Sequence, residues 1–127
     1  FREICRLQVR KTARFDENEY ILLLTLKAGE YTGSRVSDVD LFRIRNAMPH
    51  LAETLKKSLR PGDAVAQFSD SQYVILLSAC TYEGGMLAAN RIISKFYQDH
   101  KVYRNLKIKI HIEKVKTAEH ILNKYSG

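Results

Sequence analysis

The sequence predicts an α/β sandwich with a mostly antiparallel central sheet, and three observations carry that expectation. The stretch "YILLLTLKA", Tyr20 to Ala28, is a nearly continuous apolar run with the length and composition of a strand covered on both faces. From Leu41 to Leu59 apolar residues recur at three- and four-residue steps, the spacing of one helix face. Near the end, "NLKIKIHIEKV" alternates strictly, the period of a half-exposed strand.

Taken in order, the chain begins with Phe1, Ile4 and Leu7 on one side of a lead-in helix over residues 1–18. The strand at Tyr20 follows, then the loop "GEYTGSRVSD", rich in Gly, Ser and Thr. The second helix starts at Asp38, with Ser37 or Asp38 as its cap. Its inner face is read as Leu41, Ile44, Met48, Leu51, Leu55 and Leu59. Pro49 lacks the N–H that a helix interior needs and is expected to kink or restart it. "RPGD" stops the helix, because Pro61 and Gly62 do not continue one.

"AVAQF" and "QYVILLSA" form a hairpin across a short polar loop. Thr81 caps a third helix that runs to about Asp99, its inner face being Leu87 or Ala88, Ala89, Ile92, Ile93 and Phe96. Gly84 and Gly85 lack the flanking residues of a phosphate loop. In the last strand Leu106, Ile108, Ile110 and Ile112 face the core, and the intervening lysines mark a sheet edge. The tail, 116–127, has room for a helical turn or two. The resulting order, α-β-α-β-β-α-β, is shared by several ferredoxin-like folds and fixes no function by itself.

With 127 residues, 45% of them hydrophobic, the chain is expected to be one domain, 1–127, with its core in 20–115. It starts at Phe1, as a piece of a longer protein would. No apolar run approaches the roughly 20 residues that span a bilayer, and no basic-then-apolar leader is present. A cytoplasmic domain with no membrane partner is therefore expected. Cys5 and Cys80 and the four scattered histidines match no metal-ligand spacing. The formal charge of +7 would suit nucleic acid, but the basic residues are dispersed and no nucleic-acid motif accompanies them.

The stretch Leu59–Leu77, "LRPGDAVAQFSDSQYVILL", resembles the GGDEF domain of diguanylate cyclases, where it reads approximately LRxxDxxxRxGGDEFxxLL. No gap is needed, and the likeness in element order and apolar spacing extends from about Tyr20 to Val115. It implies a nucleotidyl cyclase-like fold. Set on that pattern, Ser69, Asp70, Ser71, Gln72 and Tyr73 stand where the family has two glycines, two carboxylates and an aromatic residue. Only Tyr73 is retained in type. Thr25 and Lys27 occupy the place of the family's metal-binding aspartates at the end of the first strand, and Arg45 the place of an aspartate that recognises guanine. Magnesium needs carboxylate oxygens, and phosphoryl transfer depends on it. The resemblance thus implies no cyclase activity, no metal and no cofactor. An enzyme would require Asp38, Asp40, Asp63 and Asp70 to assemble into an acidic cluster, whereas Asp38 and Asp40 suit a helix N-terminus.

One motif of that family is retained. Arg60-x-x-Asp63 matches the RxxD of its inhibitory site, which implies cyclic di-GMP binding. Arg60 could fork onto guanine or phosphate, and Asp63 could accept from the guanine edge. The plainer alternative is a solvent-facing helix end and an aspartate organising a turn. The longer stretch "SLRPGDAVAQFSDSQYVILLSACTYEGG…RIISKF" also resembles a C-terminal module of some Firmicutes-type transcription regulators. These carry a DNA-binding domain and a bacterial transcriptional activator domain, as in Streptomyces antibiotic regulatory proteins. "FREICRLQVR" resembles that module's lead-in helix. The resemblance implies a regulatory or self-association domain that touches DNA only through an upstream domain. Its partners would be a second copy or other domains of the chain. A nucleotide receptor and a directly nucleic-acid-binding basic domain remain as alternatives.

Overall fold

The computed structural model describes residues 19–28 and 38–115. The predicted lead-in helix, the C-terminal tail and most of the first loop lie outside the described residues. Strand β1 spans Tyr20–Lys27, helix α1 Asp38–Ser58, β2 Ala64–Ser69, β3 Gln72–Leu77, α2 Tyr82–Asp99 and β4 Lys107–Lys114, with a 3-10 turn at Lys101–Tyr103. The four strands form one antiparallel sheet in the order β2-β3-β1-β4.

Chain order and sheet order differ because each helix carries the chain past a neighbouring strand. β3 lies between β1 and β2, which α1 connects, and β1 lies between β3 and β4, which α2 connects. β1 is therefore central, with Leu22 paired to both Ile75 and Ile112, and Leu24 to both Tyr73 and Ile110. That position explains its apolar run. One sheet face, carrying Leu22, Leu24, Leu26, Tyr73, Ile75 and Leu77, packs under both helices. The opposite face holds a second, smaller cluster of Ile21, Val74, Leu76 and Val115. β4 is an edge strand, and Lys107, Lys109 and His111 are exposed, as the alternation predicts.

The buried face of α1 differs from its sequence reading, and on α2 the structure decides between Leu87 and Ala88. α1 buries Ile44, Ala47, Met48, Leu51, Ala52 and Leu55, but Leu41 is half exposed. The buried stripe centres on Ala47 and Leu51, so Leu41 falls on its margin while Asp40 takes a covered place. On α2 the buried residues are Gly85, Ala89, Ile92 and Phe96, with Ala88 and not Leu87 against the core; Leu87 is 69% exposed. α1 also runs unbroken through Pro49, with no restart. Proline there deprives the Arg45 carbonyl of its helical donor. Both residues lie on the exposed side, where water can serve that carbonyl.

α2 begins where Thr81 Oγ1 accepts from the Gly84 N–H at 3.0 Å. Gly85 is needed one residue later: a Cβ there would lie 2.4 Å from Ile112 Cδ1. The missing side chain leaves room for the Ile112 side chain of β4 to lie against the helix. Truncating Leu51 to alanine should cost about 2–5 kcal/mol in equilibrium urea unfolding, and Leu41→Ala no more than about 0.5 kcal/mol. Equal losses would contradict the assignment of Leu51 to the inner face of α1 and Leu41 to its margin.

Candidate functional site

The end of α1 turns sharply into β2. Arg60-Pro61-Gly62-Asp63 closes a turn in which the Asp63 N–H donates to the Arg60 carbonyl at 3.0 Å. Proline at the second position and Gly62 at φ +97 at the third are the residue pattern of a type II turn. A side chain at Gly62 would be strained by that φ and would also meet Ser78 Oγ at 3.0 Å.

The Asp63 side chain is 2% exposed and points back into this turn. Its Oδ2 accepts from the Arg60 backbone N–H at 3.0 Å, and its Oδ1 from the Ser78 backbone N–H at 3.1 Å and Ser78 Oγ at 3.3 Å. The Arg60 guanidinium lies across it, with Nε 3.6 Å from Oδ2, while Nη2 donates to the Ser78 carbonyl at 2.6 Å. The structure thus brings Arg60 and Asp63 together, but with different availability. Asp63 is spent on backbone amides; the Arg60 side chain is 54% exposed.

Beyond Ser78 the chain bends through Ala79, a non-glycine residue at φ 50, before Thr81 caps α2. That conformation costs about 1–2 kcal/mol. It shapes a pocket of about 460 Å³ lined by Arg60, Asp63, Ala79, Cys80, Thr81 and, from the third turn of α2, Arg91. Sequence reasoning did not find Arg91; it lies 31 positions after Arg60, in a helix read only for its apolar stripe. Burial pushes the Cys80 thiol upward, Arg60 offsets this in part, and Asp63 adds to it.

The loop Ser69–Tyr73 lies away from this pocket and is closed on itself. Ser69 Oγ donates to Gln72 Oε1 at 2.8 Å, and Gln72 Nε2 donates to Thr25 Oγ1 at 3.1 Å. Gln67 Nε2 donates to the Ser69 carbonyl, and the Ser71 N–H to Ser69 Oγ. Tyr73 is buried, its phenol donating to the Met48 carbonyl at 2.9 Å. Asp70 is exposed at the turn. The quartet of Asp38, Asp40, Asp63 and Asp70 that an enzyme would require is not brought together: among the described residues no group of three or more His, Cys, Asp or Glu is placed to hold a metal ion. Asp40 is buried in the first turn of α1, and Asp63 in its own turn.

Asp63→Ala should cost about 1–3 kcal/mol, since it removes three hydrogen bonds to a charged acceptor, and Arg60→Ala about 1 kcal/mol or less; chemical denaturation of both checks this. In a Cys5→Ser background, alkylation of Cys80 should titrate above an ordinary thiol. The midpoint should rise further in Arg60→Ala and fall in Asp63→Asn. No protein-family model matches this chain, and no curated protein matches it.

Proposed function

We propose that this chain is a non-catalytic regulatory and self-associating domain of a bacterial transcription regulator. It is built on the ferredoxin-like, nucleotidyl cyclase-like scaffold of GGDEF domains, works in the cytoplasm, and leaves DNA to an upstream domain. The sheet order β2-β3-β1-β4 with two helices on one face supports that scaffold.

One observation carries the loss of catalysis. Where a cyclase of that type would hold Mg²⁺, the hydroxyl of Ser69, the amide of Gln72 and the hydroxyl of Thr25 hydrogen-bond to one another. These neutral groups do not fit a hard divalent cation, which takes carboxylate oxygens. Lys27, at the end of the same strand, adds a positive charge. The loop instead acts as a hairpin turn, with Tyr73 pinning it to α1. Incubation with GTP and Mg²⁺ should yield no pyrophosphate and no cyclic dinucleotide. Steady turnover abolished by Gln72→Ala would overturn the reading.

A specific observation favours a second reading, a cyclic di-GMP receptor. Arg60 and Arg91 line one pocket from two different elements, an arrangement suited to phosphate or guanine. In that reading Asp63 positions Arg60 rather than touching ligand. Calorimetry with cyclic di-GMP should then show saturable binding that Arg91→Ala removes without changing thermal stability. Absence of heat with the unaltered chain would discard the receptor reading and leave the non-catalytic one standing.

A further inference from the structure

One flank of the first two turns of α1 is unusual for a surface helix. Val39, Leu41 and Phe42 are 67%, 50% and 64% exposed. They sit among charges that change sign along the helix: Asp38 before them, Arg45 after them, both exposed. At about 100° per residue, Asp38, Leu41, Phe42 and Arg45 fall within about 100° of arc and form one stripe.

We propose that this stripe pairs antiparallel with the same stripe of a second copy, about a twofold axis passing between Leu41 and Phe42. The inference rests on the self-association reading and names its surface. In an antiparallel pair with that axis, residue 38 of each copy is level with residue 45 of the other, and residue 41 with residue 42. Leu41 packs on the partner's Phe42, and the reverse contact follows by symmetry. Asp38 faces the partner's Arg45 at both ends, so the two apolar contacts are flanked by two identical ion pairs. A helix whose exposed charges were all of one sign would repel itself in this arrangement. This one is complementary to itself, which argues for a second copy over an unrelated partner.

The patch covers about two helical turns, less than the roughly 800 Å² per partner of a standard interface. The dimer is accordingly weak and concentration-dependent.

Sedimentation velocity of the 127-residue chain, from micromolar to sub-millimolar concentration, tests this. The unaltered chain should move from monomer to dimer as concentration rises. Phe42→Glu should weaken dimerisation by about tenfold or more, as should Asp38→Arg and Arg45→Asp taken singly, since each single reversal places like charges opposite one another. An equimolar mixture of Asp38→Arg with Arg45→Asp should dimerise again, because every facing pair is then opposite in sign. Thermal melts establish that each variant is folded; a variant that melts early is set aside, and the mixture of the remaining pair, or the double variant Asp38→Arg/Arg45→Asp, decides. Dimers indifferent to all these changes would overturn this interface while leaving self-association intact. A monomer at every concentration would overturn both. A mixture that stays monomeric while the unaltered chain dimerises would overturn the twofold pairing alone.

Discussion

The carboxylate of Asp63 joins the end of α1, the turn into β2 and the residue just past the β2–β3 hairpin through three backbone or hydroxyl donors. The segments that supply these donors have just left regular structure. Without Asp63 the Arg60 and Ser78 amides would lose these bonds beside a buried position. The turn geometry that Pro61 and Gly62 permit is therefore completed by a side chain, and the start of β2 follows from it. Because Ser78 is held by the same group, so is the departure of the chain toward α2.

The sheet converts that fixed corner into an architecture. β3 pairs on one side with β2 and on the other with β1, so a tie at the outer hairpin is transmitted to the central strand. β1 in turn carries β4, whose sheet neighbour it is. The large core lies between this sheet and the two helices, and Tyr73 crosses it to reach the carbonyl of Met48. The hairpin loop is thus anchored from beneath by Tyr73 and laterally by the Thr25–Gln72 bond. Its polarity is used inward, on its own neighbours.

Much of this is legible in the residues. Strand and helix positions in 20–115 follow from periodicity because each element has one strongly patterned face, and the α2 cap follows from Thr81. Spacing does not fix the rotation of a helix to within one residue, so Leu41 reads as inward although the core lies a fraction of a turn away, and Leu87 and Ala88 read as alternatives. Pro49 misleads because its cost depends on whether the affected carbonyl faces water, which is a tertiary fact. Arg60 and Asp63 are identifiable from their turn, and the plainer reading, an exposed Arg60 and an Asp63 that organises the turn, is the one the geometry matches. The donors that claim Asp63 come partly from Ser78, fifteen positions later. Arg91 is invisible for the same reason, since only the fold places it at the pocket.

The contact between Gly85 and Ile112 has a mechanical meaning. The first turn of α2 forms part of the pocket wall on one side, through Thr81 and Gly84, and rests on the edge strand on the other. The Ile112 side chain lies between that turn and the sheet, so a push from the pocket meets it first. A displacement of that turn must either carry β4 with it or unseat Ile112 from the core. The pocket wall and the edge strand therefore share one contact, and a change at either reaches the other through Ile112.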